Sequence, residues 1–99
     1  MSVETTVKET VTSSVKPPSM WKVVMLNDDV TPMDIVVHLL TNIFGHTKGE
    51  ANKIMLQIHN EGAGIAGVYS FEIAEQKGIE ATNTARANDA PLKIQIEEE

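Results

Sequence analysis

The residues best able to do chemistry fall in three places. Asn27-Asp28-Asp29 sets an amide and two carboxylates in a row. Neighbouring carboxylates can act as acid and base, hold a cation, or accept hydrogen bonds from an ammonium group. No nucleophile or full ligand set accompanies them, which leaves the ammonium acceptor and the plain polar turn. His59 stands alone at the end of a helical run, where a His caps the helix, sits on the surface, or meets a polar ligand. Gly62-Ala63-Gly64-Ile65-Ala66-Gly67 matches G-x-G-x-x-G. A dinucleotide loop of that pattern follows a strand and opens a helix. Here it follows a helical run and enters an apolar stretch, so a turn and a closely packed strand are expected. His38, His46 and His59 include no pair at i, i+4 spacing, and no G-x-S-x-G elbow is present. Neither a metal nor a cofactor is expected.

The surrounding pattern shows how these residues are carried. Met20 to Leu26 is a β-prone apolar run, predicted as the first strand, and Asn27-Asp28-Asp29 ends it. Thr31 is predicted to cap a helix, with Pro32 at its first position and Asp34 facing its dipole. Met33, Val36, Val37, Leu40 and Phe44 form one apolar stripe, closed by Gly45. Thr47-Lys48-Gly49-Glu50 is a capping box for a second helix with Ala51, Ile54, Met55 and Ile58 inward. Ala63 to Tyr69 predicts a second strand. Ser70 is expected to cap a third helix ending near Ala87, weakened by Gly78 and Thr82-Asn83-Thr84. After Pro91, Leu92, Ile94 and Ile96 alternate with Lys93, Gln95 and Glu97 as a half-buried strand.

This β-α-α-β-α-β order predicts an α+β fold: a small two-layer sandwich with helices on one face of a three-stranded antiparallel sheet. Residues 1–16 are expected as a disordered tail, 17–97 as one folded core, and 98–99 as an acidic end. At 99 residues the chain supports one domain with a modest core. Its net charge of −6 and single Arg, Arg86, argue against nucleic acid and anionic membranes and favour positively charged partners. There is no Cys. No apolar run reaches the ~18 residues of a membrane span, and no signal-peptide core is visible. A monomer is expected.

Taken together, the motifs resemble the ClpS family of protease adaptors. The resemblance runs from Lys16-Pro17-Pro18-Ser19-Met20 through Val23 to Leu26 and Asn27-Asp28-Asp29-Val30-Thr31-Pro32-Met33. It continues at Ile54-Met55-Leu56-Gln57-Ile58-His59 with Gly62, at Gly67-Val68-Tyr69, and at Glu72-Ile73-Ala74-Glu75 with Lys77. It ends at Ala85-Arg86 and Pro91-Leu92. It implies a non-enzymatic adaptor that binds proteins beginning with Leu, Phe, Tyr or Trp and delivers them to a hexameric Clp AAA+ unfoldase and its peptidase. By the resemblance, Asn27, Asp28 and His59 would hold the substrate α-amino group and first peptide unit. Thr31, Met33, Val36, Met55, Ile58 and Leu92 would form the pocket for the first side chain, with Met33 as a gate against β-branched residues. Glu72 and Lys77 would dock the unfoldase N-domain, and the tail before Pro17 would engage the unfoldase. A bacterial cytoplasm or plastid stroma would be the setting. The rival expectation is a protein that docks the unfoldase and modulates substrate choice without delivering anything. Departures from the family pattern are Ala66 where Cys is common, Val30 for Tyr, Ile35 for Phe, and Gly78 in the third helix.

Overall fold

The computed structural model describes residues 19–99; the expected tail, residues 1–16, lies outside them. The elements run β1 (Met20–Leu26), α1 (Met33–Asn42), α2 (Lys48–Glu61), β2 (Ala63–Ser70), α3 (Phe71–Ala87) and β3 (Lys93–Glu98). The three strands form one antiparallel sheet in the order β2-β1-β3. This is the α+β sandwich that the sequence predicts.

Alternation on β1 explains the layers. Val23 and Met25 are fully buried and join Ala66 of β2 and Leu92 in one core, against which Ile94 and Ile96 of β3 pack. All three helices contribute to that same core: Val36, Leu39 and Leu40 from α1, Ala51 and Ile58 from α2, and Ala74, Ala81 and Ala85 from α3. The helices therefore cover one face of the sheet. The β1–β2 ladder slips once: Val24 pairs with Ile65 and Val23 with Gly67, so Ala66 is the extra residue of a β-bulge. The ring Nε2 of His46 donates to the Ala66 carbonyl, giving that bulged backbone a partner from the loop before α2. The final acidic residues do not hang free. β3 runs through Glu98, and the Glu99 amide donates to the Met20 carbonyl at 2.9 Å.

Helix ends follow local chemistry. The Thr47–Glu50 capping box forms in both directions, at 3.1 Å from the Glu50 amide and 3.0 Å from the Thr47 amide. Those bonds hold the Glu50 carboxyl below its ordinary range. α1 departs from expectation at both ends. Pro32, not Thr31, is the N-cap, because its ψ of 145° is extended and its carbonyl accepts from Ile35 and Val36. At the other end α1 stops at Asn42, and Phe44 and Gly45 follow in an irregular turn. Ser70 precedes α3 without a side-chain cap bond.

α3 reaches its full length despite Gly78 because it presents small residues to the sheet. Ala74, Gly78, Ala81 and Ala85 are all buried. A methyl group built at Gly78 would meet Ile96 at 3.7 Å and Ile94 at 3.9 Å, ordinary contact distances. Gly78→Ala therefore gains helix propensity, about 0.8–1 kcal/mol, without a clash. The expected result is a rise in melting temperature of roughly 4–8 °C per kcal/mol for a domain of this size. A fall in melting temperature on calorimetry would show that the helix needs that glycine.

Candidate functional site

The site begins where β1 ends. The amide of Asn27, the first residue past the strand, donates to the Gly62 carbonyl at 2.9 Å. Gly62 is the C-cap of α2, at φ 92°, a left-handed conformation that favours glycine. That one bond sets the end of β1 against the end of α2 and brings Asn27 and His59 to one rim. The next glycine has a different reason. A Cβ at Gly64 would lie 2.7 Å from the Ile58 side chain, so α2 can lean on β2 only because that position is bare. The G-x-G-x-x-G run is thus a helix cap and a packing surface, as its sequence context predicts.

Asp28 is fixed by its own turn. Its Oδ1 accepts from the amides of Val30 at 2.7 Å and Thr31 at 2.6 Å, and its Oδ2 accepts from the Thr31 hydroxyl at 2.7 Å. This explains why Thr31 does not cap α1: its hydroxyl serves Asp28. Burial pushes the Asp28 carboxyl up, but the Thr31 hydroxyl, the two amides and the Arg86 charge outweigh it and hold it below its ordinary value. The carboxylate is ionised and rigid. A carboxylate offers about four lone-pair sites, so one acceptor site on Oδ2 stays open after three bonds.

Below this polar rim lies an apolar well. Asn27, Asp28, Asp29, Thr31 and His59 line the top of a cavity of about 230 Å³, and Met33, Val36, Met55, Ile58 and Leu92 line the rest. α1 supplies Met33 and Val36 one turn apart; α2 supplies Met55, Ile58 and His59 at i, i+3 and i+4. Leu92 and Ile58 are almost wholly buried, whereas Met33 is 45 % exposed at the mouth. The volume is below the ~300–1,000 Å³ of pockets for drug-sized ligands. It suits one side chain with a charged group beside it. Every residue that the sequence assigned to amine binding or to the pocket lines this cavity. Asp29 was not assigned to it; its place in the same turn is the signal that could have included it.

The two remaining assigned residues lie elsewhere. Glu72 is exposed in the first turn of α3. Lys77 donates from Nζ to the Ile43 carbonyl at 2.8 Å and sits over the Tyr69 ring, 5.4 Å from its centroid. Burial raises the Tyr69 hydroxyl above its ordinary pKa. The other histidines serve local structure: His46 holds the bulge, and His38 meets Asn42 at 3.0 Å.

Comparison with known proteins fixes the family. The model of the family described as "ATP-dependent Clp protease adaptor protein ClpS" matches residues 16–95. The chain belongs to the ClpS family. It is an ATP-dependent Clp protease adaptor, and the Clp protease is its partner system. A ClpS adapter from Gluconobacter oxydans is 50 % identical over 84 residues, 85 % of this chain and 71 % of that protein. One from Hydrogenovibrio crunogenus is 47 % identical over 91 residues, 92 % of this chain and 88 % of that protein. Among solved structures, Agrobacterium tumefaciens ClpS2 bound to L-phenylalaninamide superposes with a TM-score of 0.80 at 32 % identity. The match covers 84 % of this chain and all of that one. No helix among the described residues is long and apolar enough to cross a membrane.

The Asp28 turn gives a titration test. A carboxyl depressed in the folded state stabilises the fold above its unfolded pKa, and that stabilisation is lost as pH falls through the folded value. Thr31→Val removes one donor and keeps the side-chain shape. The Asp28 midpoint, followed by carboxyl carbon NMR, is expected to move up, and acid unfolding to begin at higher pH. An unmoved midpoint would assign the effect to the backbone amides and the Arg86 charge.

Proposed function

We propose that the cavity binds the first residue of substrate proteins, which the chain then hands to a Clp AAA+ unfoldase. The observation that carries this reading is the junction of open polar acceptors with a well sized for one side chain. Asp28 supplies an ionised oxygen with a free site, and Asn27 and His59 supply polar atoms for the amine and the first peptide unit. Met33, Val36, Met55, Ile58 and Leu92 take the side chain, with Thr31 at the rim. The compound bound to the related ClpS2 is consistent with this division, since phenylalaninamide carries a free amine, an amide and an aromatic side chain. Leu, Phe, Tyr and Trp are the first residues proposed. Docking is assigned to the unfoldase N-domain through the α3 face bearing Glu72 and Lys77, with the chain acting as a monomer in a bacterial cytoplasm or plastid stroma.

Magnitudes favour a two-part requirement. Burying a Leu or Phe side chain contributes about 1.5–3 kcal/mol. A hydrogen bond to a charged group contributes about 1.5–3 kcal/mol. One side chain and two or three such bonds give roughly 5–12 kcal/mol before the losses of association, against about 8 kcal/mol for micromolar binding. Neither half suffices alone.

The test is binding of fluorescent peptides that differ only at the first residue. Leu and Phe peptides are expected to bind, and Ala and acetyl-Leu peptides to lose affinity by about 100-fold or more, because acetylation removes the charge and leaves Asp28 and Asn27 underpaired. Equal binding of free and acetylated Leu would overturn the amine assignment. Failure of every peptide would favour the protein that docks without delivering.

The mouth makes a separate prediction. Met33→Ala is expected to admit Ile and Val peptides that the native chain rejects, while leaving Leu binding within a few-fold. Unchanged rejection would place the gate at another residue.

A further inference from the structure

Leu92 lines the pocket, yet it belongs to no element. It is the last residue before β3, whose ladder with β1 begins at the Leu26–Lys93 pair. The connection that carries it leaves α3 through a tight turn. Asp89 sits at φ 59°, its amide donates to the Arg86 carbonyl at 3.0 Å, and the Ala90 amide donates to the Ala85 carbonyl at 2.9 Å. This is a Schellman-type ending with an Asp in the left-handed position. Pro91 follows and has no amide to donate.

One side chain spans the connection. Arg86 Nη1 donates to the Ala90 carbonyl at 2.9 Å and to the Leu92 carbonyl at 2.8 Å. It thus bridges Pro91 and fixes the backbone on both sides of it from the last turn of α3. Its positive charge is also one of the causes that hold the Asp28 carboxyl below its ordinary value. Leu92 itself is 1 % exposed. A close-packed apolar wall transmits small backbone shifts directly to the space it encloses.

We propose that Arg86 is a specificity-positioning residue, whose clamp on the Ala90 and Leu92 carbonyls sets how far Leu92 stands into the pocket and therefore which first side chains fit. The inference deepens the reading of the cavity as a side-chain pocket and rests on it. Arg86 touches no substrate; it acts through Leu92. Guanidinium geometry matters here, because one planar nitrogen aims its two protons at two fixed acceptors, which a flexible ammonium does not reproduce.

The experiment uses the full chain with Arg86→Met, which keeps the stem and removes the donors, and Arg86→Lys, which keeps the charge. Two readouts are taken: the ratio of affinities for Leu-, Phe- and Trp-initiated peptides, and the methyl NMR shifts of Leu92 in the free protein. Arg86→Met is expected to change the Leu:Trp ratio by about threefold or more, since pocket discrimination is sensitive to changes as small as a methylene. It is also expected to move the Leu92 methyls, with Arg86→Lys restoring both in part. If Arg86→Met unfolds, melting curves reveal it and Arg86→Lys alone carries the test through the same two readouts. A uniform loss across all peptides, or an unchanged ratio with Leu92 in place, would make Arg86 a plain structural cap and overturn the inference. If the native chain binds none of the peptides, the pocket reading itself falls and takes this inference with it.

Discussion

β1 is the strand with hydrogen-bonded neighbours on both edges, and its register fixes the rest of the molecule. Val23 and Met25 must face the helices, so the strand can leave the sheet only at one height, and Asn27 emerges there. The Asn27 amide then meets the Gly62 carbonyl at the end of α2. The polar rim and the apolar well come from different elements, and this junction joins them. A one-residue slip in β1 would turn its buried side chains to the open face and carry the turn away from His59.

The site divides its tasks between rigid and adjustable parts. Asp28 is locked by three donors within four residues, a local arrangement that needs little help from the rest of the fold. The well is the opposite case: α1, α2 and the α3–β3 connection each supply a wall. Charge recognition is therefore a property of a short loop, whereas shape recognition is a property of the whole core. Met33, half exposed on the first turn of α1, stands between the two.

Much of this was legible in the sequence, for reasons that are local. The Thr47–Glu50 box, the alternation of Leu92, Ile94 and Ile96, and the misplaced glycine motif each carry their meaning within a few residues. Family resemblance then supplied the grouping of Asn27, Asp28 and His59, which no spacing rule could have provided. What was hidden depends on competition between partners. Thr31 is a sound helix cap by type, but Asp28 takes its hydroxyl, and Pro32 becomes the cap instead. Leu39 was absent from the expected stripe of α1, although it is fully buried. Asp89 in a left-handed turn gives no signal of the kind glycine gives. In the sequence Arg86 is only the chain's single Arg and part of the family resemblance; its two carbonyl acceptors come from the fold.

The extra residue at Ala66 has a consequence for the chain's architecture. Gly64 and Ala66 face the helices, and so does Tyr69, an odd step away, because the bulge resets the alternation between them. Tyr69 lies opposite Trp21, and Phe71 meets the Trp21 ring edge-on at 4.9 Å as α3 begins. Were the same residues to run straight on without the bulge, Tyr69 would pair with Met20, pointing to the bare side of the sheet. The chain would then enter α3 half a turn out of phase, aimed away from the layer it must complete. The bulge thus decides on which side of the sheet α3 is built: it absorbs one residue of β2, and a deletion at Ala66 that straightened the ladder would keep Tyr69 opposite Trp21.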